Sequence, residues 1–226
     1  DRVSEGIYEV LSETNNVEIH YEYLDMKRFY GETYHKKLTE LFLEKTKLID
    51  YKAVIVSDNA AFDFLIKYRT ELYDELPIIF CGINNFDVGE LEDEIGISGI
   101  AEVPDHKANI ELMLQLHPNT KRILVVNDKT KTGRAIKSEL VPIIELYKDR
   151  VTFEFYEDFL IEEIETDLAD INKEIPIYLL VFNRDSSGRF ISYKDGIGVV
   201  KKYVSNPIYG AWEFYLGKGI VGGKLT

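Results

Sequence analysis

Short runs of β-branched and aromatic residues alternate along the chain with stretches whose apolar positions recur every three to four residues. That is the pattern of parallel strands joined by helical crossovers. Val3, Ile7, Val10 and Leu11 predict an opening helix. Residues 17–24 alternate Val17, Ile19, Tyr21 and Tyr23 against Glu18, His20 and Glu22, which predicts a strand with one wet face. A helix over 31–46 follows, marked by Leu38, Leu41, Phe42 and Lys45. Then come a buried strand at 53–56, a helix over 60–73 and a second buried strand over 77–83. Residues 96–103 predict a strand or crossing segment.

From there the pattern restarts. Ile110, Leu112, Met113, Leu114 and Leu116 predict a helix that Pro118 ends. The remainder reads as strand 122–126, helix 133–147, strand 151–156, helix 161–173, strand 177–182, helix 192–204 and strand 207–212. The expected fold class is α/β, with one lobe over 1–102 and a second over 103–226. No Pro/Gly/Ser-rich linker separates them, so the lobes are expected to touch; a single seven- or eight-stranded domain is the alternative.

Each buried strand ends in a polar cluster that leads into a helix: Ser57-Asp58-Asn59, Asn84-Asn85, Asn127-Asp128 and Asn183-Arg184-Asp185. In open parallel sheets, ligands bind at the carboxyl ends of strands, where helix N-termini present unpaired N–H groups. Asp, Asn and Ser are also ordinary N-caps and turn formers, so one such cluster says little. Four of them across two lobes point to a shared ligand-facing rim.

Composition narrows the classes. With 45% hydrophobic and 30% charged residues the chain is an ordinary globular one. Its 27 basic and 40 acidic residues leave a net charge of −13, which argues against nucleic acid and against an anionic membrane surface as partners. No apolar run is long enough to cross a bilayer. The chain opens on Asp1-Arg2-Val3-Ser4, which reads as a segment of a longer protein. Cys81 lies in an apolar run and is expected to be a small core residue.

Motifs for chemistry are weak. Gly217-Lys218-Gly219-Ile220-Val221-Gly222 has the G-x-G-x-x-G spacing, but no acidic residue follows at the distance a dinucleotide site needs. Residues 122–128 resemble the first strand of a phosphoacceptor receiver without its acidic pair. His20, His35, His106 and His117 include no pair at helical spacing, so surface or capping roles are expected and no metal. Ser186-Ser187-Gly188 lacks the hydrolase elbow, and there is no phosphate loop. No cofactor and no catalytic residue are expected, and the segment is not expected to be an enzyme.

Several stretches occur in a telling order: residues 57–65 (SDNAAFDFL), 77–84 (PIIFCGIN), 97–102 (ISGIAE), 126–133 (VNDKTKTG), 207–212 (PIYGAW) and 219–223 (GIVGG). Together they resemble the ABC-transporter substrate-binding-like domains that form extracytoplasmic sensors of bacterial histidine kinases and diguanylate cyclases. The resemblance implies a type I periplasmic-binding fold with two Rossmann-like lobes, a hinge and a ligand cleft. It also implies a membrane helix and an output domain elsewhere in the protein. It departs at both ends, where a first strand before Arg2 and a closing element after Thr226 are expected.

In that fold the rim comprises Asp58, Asn59, Ala60, Phe62 and Asn84 from the first lobe, with the N–H groups of 59–62 suited to a carboxylate. The second lobe offers Asp128, Thr132, Gly133, Arg184 and Asp185, with Gly133 allowing close approach and Arg184 forking onto a carboxylate or pairing with Asp185. Glu102 on the crossing suits an amine or hydroxyls, Trp212 suits stacking, and Glu213 suits a cationic or hydroxylated group. The implied function is a sensor that binds a small polar, amino-acid-like or sugar-like ligand and signals by lobe closure; a homodimer is a possible arrangement. A soluble ABC-transporter component and a small cytosolic α/β enzyme are the alternatives.

Overall fold

The structure is a computed structural model that describes residues 2–14, 16–74, 76–91 and 95–226. Among these residues the strands form two separate sheets, both wholly parallel. In the first, β1 (Val54–Ser57), β2 (Ile78–Ile83) and β3 (Ile97–Ala101) lie side by side in that order. In the second, β4 (Arg122–Val126), β5 (Thr152–Tyr156), β6 (Ile177–Leu179) and β7 (Ile208–Gly210) lie in the order β5-β4-β6-β7. The chain passes from one sheet to the other through residues 102–105.

Helices α1 (Arg2–Ser12), α2 (Glu32–Thr46), α3 (Asn59–Lys67) and α4 (Arg69–Leu72) belong to the first half. Helices α5 (His106–Leu116), α6 (Lys131–Ile144), α7 (Ile164–Leu168) and α8 (Tyr193–Tyr203) belong to the second. Their starts are written in the sequence. Asp58, Asp105, Thr130 and Ser192 each accept a backbone N–H from the first turn of the helix that follows.

The second sheet carries the main core. The side chains of Ile123, Val125, Val126, Ile177, Tyr178 and Leu179 have no exposed surface, because helices cover both faces. Among the described residues the first sheet is buried on one face and only partly covered on the other. Val56, Ile78 and Phe80 pack on Phe62 and Leu65 of α3, whereas Ile55, Ile79 and Ile100 on the other face are 39%, 46% and 76% exposed.

Four expectations need correction. Cys81 is not a core residue: it is only partly buried and belongs to the face of Ile79 and Ile100. Residues 17–24 form no strand among the described residues. Alternation specifies an extended backbone, but a strand also needs a partner for its ladder, and this segment is held by side chains instead. Tyr34 donates to the Leu24 carbonyl, and Lys45 pairs with Glu22. The helix expected over 161–173 shrinks to α7, where only Ile164 and Leu168 are buried. Glu162, Glu163, Glu165, Asp167 and Asp170 crowd like charges at helical spacing, Glu163 and Asp167 at i,i+4, which opposes a longer helix. His106 is not a surface residue: it is 1% exposed, with Nδ1 2.7 Å from the Tyr178 hydroxyl.

Candidate functional site

Asp58 and Asp128 occupy matching positions, one residue past Ser57 at the end of β1 and two past Val126 at the end of β4. Their surroundings differ. Asp128 stands at the point where the order of the second sheet reverses between β4 and β6, the crevice in which open α/β sheets commonly take a ligand. Here the crevice is closed from within. One Asp128 oxygen accepts from the Thr130 N–H at 2.9 Å and its hydroxyl at 2.5 Å, the other from the Asn183 N–H at 2.6 Å and the Arg184 N–H at 3.3 Å. Gly133 is required by the same knot, since a Cβ there would lie 2.3 Å from the Asp128 carbonyl oxygen. Its close approach therefore serves Asp128, not a ligand.

Asp185 is likewise turned into its own loop. Its carboxylate accepts from the Ser187 hydroxyl and from the N–H groups of Ser187, Arg189 and Ile161. Burial works against its charge, yet these bonds hold its pKa below the usual aspartate range. Arg184 does not pair with it. The guanidinium donates instead to the carbonyl oxygens of Met26 at 2.8 Å and of Lys27 at 2.9 and 2.5 Å.

Asp58 faces the other lobe. It holds a positive φ of 82°, unusual for a residue with a Cβ, and one oxygen caps the Ala60 N–H at 3.1 Å. The same oxygen lies 3.4 Å from the Thr132 hydroxyl on the first turn of α6, and the other accepts from Lys27 Nζ at 2.5 Å. The N–H of Phe62 goes to the Asp58 carbonyl, so at least two of the four N–H groups at 59–62 are engaged locally. Asn59 and Asn84 lock β1 to β2: the Asn59 amide donates to the Asn84 carbonyl at 2.7 Å and accepts the Asn84 N–H at 3.1 Å.

Glu102 joins the halves at the crossing. Its carboxylate accepts from the Asn84 amide at 3.1 Å and from Trp212 Nε1 at 2.9 Å. Burial raises its pKa above the ordinary glutamate value, and the two bonds only partly offset that. Trp212 is buried and stacks at 18° on Phe214, so it supports Glu102 rather than offering a bare face. Glu213 lies on an exposed turn beyond it.

Between these tips lies a cavity of about 230 Å³ lined by Asn59, Phe62, Asn84 and Phe86 from the first lobe and Lys131 and Arg134 from α6. Two contacts join the lobes beside it. Lys131 Nζ lies 2.5 Å from Asp63, and the Asn85 N–H donates to the Glu139 carboxylate. Asn84 is 3% exposed, and its Oδ1 has no hydrogen-bond partner.

Sequence reasoning missed Lys27, Phe86, Arg134, Glu139 and Tyr193. Lys27 sits in Leu24-Asp25-Met26-Lys27-Arg28, where charge abruptly ends an apolar alternation, a signal that marked a turn but not its destination. Arg134 and Glu139 lie on a helix whose polar positions read as a wet face.

No family profile and no curated relative matches the chain. Solved structures do. A conserved domain protein from Vibrio cholerae superposes with a TM-score of 0.65 at 15% identity, covering 96% of this chain and 72% of that one. An ABC domain from Streptococcus pneumonia in complex with L-Trp gives 0.59 at 17% identity, covering 91% and 67%. A leucine binding protein, LivK, from Thermotoga maritima gives 0.55 at 15% identity, covering 92% of this chain and 57% of that one. The chain has the type I periplasmic-binding-protein-like fold, two Rossmann-like α/β lobes.

Proposed function

We propose that this chain binds a small amino-acid-like molecule between its lobes and serves as the extracytoplasmic sensing module of a membrane signalling protein. The observation that carries the binding step is the interlobe cavity at the strand tips, lined by Asn59, Phe62, Asn84 and Phe86 from one lobe and Lys131 and Arg134 from the other. At about 230 Å³ it falls below the ~300–1,000 Å³ usual for drug-sized ligands, which favours a metabolite. Phe62 and Phe86 suit an apolar portion, and Arg134 suits a carboxylate. Two structures of the same fold carry an amino acid in their descriptions, L-Trp in one and leucine in the other, and this supports that ligand class.

Signalling would follow from a shift in lobe closure, because a ligand touching both lobes favours the state in which both contacts exist. The ordered sequence stretches that resemble kinase and cyclase sensors support the sensing role and the extracytoplasmic side. No catalytic step is proposed for this segment. The test is a thermal-shift and calorimetric screen of L-leucine, L-tryptophan and other amino acids against sugars and dicarboxylates. An amino acid at 100 times its Kd is expected to stabilise the protein by ~2.7 kcal/mol. Saturable binding of a sugar alone, or of none of these probes, would overturn the proposal.

A further inference from the structure

Residues 25–30 lie across the cleft and are clamped by the second lobe. Besides the Arg184 bonds to the Met26 and Lys27 carbonyls, the Tyr30 ring lies 3.9 Å from the Arg184 guanidinium carbon. Arg28 lies 4.7 Å from the centre of the Phe190 ring. Gly188, at φ +89°, leaves room for the Tyr30 hydroxyl, which a Cβ would approach to 2.8 Å. The backbone is thus fixed, and the Lys27 side chain is aimed at one place.

That place is built from both lobes. Lys27 Nζ donates to Asp58 at 2.5 Å and to the Tyr193 hydroxyl at 2.9 Å, and lies 4.9 Å from the centre of the Tyr193 ring. Asp58 comes from the tip of β1 and Tyr193 from the first turn of α8. A carboxylate, a phenol oxygen and an aromatic face around one compact cation are what a primary ammonium needs. The capping bond from Ala60 fixes one Asp58 oxygen and leaves the other pointing at the cation. Asp58 keeps its left-handed backbone in this position, a cost that persists where the surroundings over-determine the geometry.

We propose that Asp58 and Tyr193 form a primary-ammonium subsite of the cleft, that Lys27 occupies it as a built-in stand-in, and that a ligand amine displaces Lys27. The displacement step rests on the cleft-binding proposal above; the subsite itself rests on the Lys27 geometry alone. A tethered competitor lowers apparent affinity by the fraction of protein it occupies, so freeing the subsite tightens binding of amine-bearing ligands. Ligands lacking a free amine gain nothing.

Lys27→Ala keeps Cβ and leaves a gap the size of n-propylammonium. Thermal unfolding of this variant is expected to shift upward by several degrees, saturably, with n-propylammonium. Tetramethylammonium or propionate at the same ionic strength should have no such effect, and neither should n-propylammonium on the wild type. The shift is expected to vanish in Lys27→Ala combined with Asp58→Asn. A shift of equal size in the wild type, with tetramethylammonium, or in the double variant overturns the proposal, as does no shift at all.

If Lys27→Ala does not fold, acylation of lysines in the intact protein, read by peptide mass spectrometry, decides instead. Lys27 is expected to react on the order of tenfold more slowly than the exposed Lys52, and at a similar rate to it in Asp58→Asn. Equal rates in the wild type overturn the proposal. Amino acids that fail to bind a protein whose Lys27→Ala variant still responds to n-propylammonium would defeat the cleft proposal alone. Amino-acid binding without that response would defeat the subsite alone.

Discussion

The two lobes place an aspartate after the first strand of each sheet and use it in opposite ways. In the second lobe Asp128 is 1% exposed and ties β4, α6 and the chain after β6 into one knot. In the first lobe Asp58 caps α3 with one oxygen and turns the other outward to Lys27. The sheets differ in the same sense: helices bury both faces of the second, and the first is buried on one face and only partly covered on the other. The second lobe's own switch-point crevice is filled by the Asp128 hydrogen bonds. The cavity at the strand tips lies between the lobes rather than within either.

The comparison is broken most directly at Asp128. Asp128→Ala abandons one hydroxyl and three N–H donors, most of them buried, at ~1–3 kcal/mol for each left unmet. A loss of roughly 4 kcal/mol is expected in urea unfolding, after partial relaxation. A loss under ~1 kcal/mol would mean that the knot is wet and that Asp128 is available to a ligand after all.

The cores come next. Leu140 on α6 has no exposed surface, and Leu140→Ala is expected to cost ~2–5 kcal/mol through lost burial and a residual cavity. Ile79→Ala, in the middle of the first sheet but 46% exposed, is expected to cost less than ~1 kcal/mol. Similar losses in a matched urea series would show that the two sheets are equally enclosed in solution.

This contrast marks where the sequence stops being informative. Ile78-Ile79-Phe80-Cys81 and Ile123-Leu124-Val125-Val126 are equally apolar runs, and both form strands as their pattern predicts. Nothing in the first run tells that Ile79 faces solvent, because coverage of a face is set by elements distant in sequence. The same limit applies to the site. Asp58, Asn84 and Thr132 could be placed at strand tips because turn chemistry is local, and the structure does bring Asp58 and Thr132 together across the lobes. Whether a tip carboxylate is engaged by its own loop, as in Asp185, or faces a neighbour depends on backbone N–H directions that residue identity does not encode. Lys27 was illegible for the same reason, being delivered by a clamp formed more than 150 residues later in the chain.

A smaller effect is expected at the crossing, where Glu102 links the halves. Burial raises its folded pKa above the ordinary 4.5, so the protonated form favours the fold. That contribution is complete below about pH 4.5 and is lost as pH rises through the raised folded value. Glu102→Gln is expected to remove this component of the pH dependence and to stay within ~1 kcal/mol of the wild type at neutral pH. The cost is low because Asn84 Oδ1, which has no partner, can accept from the new amide if Asn84 turns over. Urea midpoints at several pH values, for both proteins, check this. An unchanged pH slope in the variant would place the titration elsewhere.

The smallest effect tests the partly covered face of the first sheet itself. Ile100 on β3 is 76% exposed, and Cys81 beside it on β2 belongs to the same face. Ile100→Thr keeps the branched Cβ that strands favour and removes mainly apolar surface already in water. Its stability is therefore expected to stay within ~0.5 kcal/mol of the wild type, with a visible drop in binding of a hydrophobic dye. A loss of ~1.5 kcal/mol or more cannot come from a side chain three-quarters in solvent, since that is what fully burying an aliphatic side chain contributes. Such a result, especially if it grew with protein concentration, would mean that another body covers this face in solution. The difference between the two sheets would then belong to the isolated chain and not to its working form.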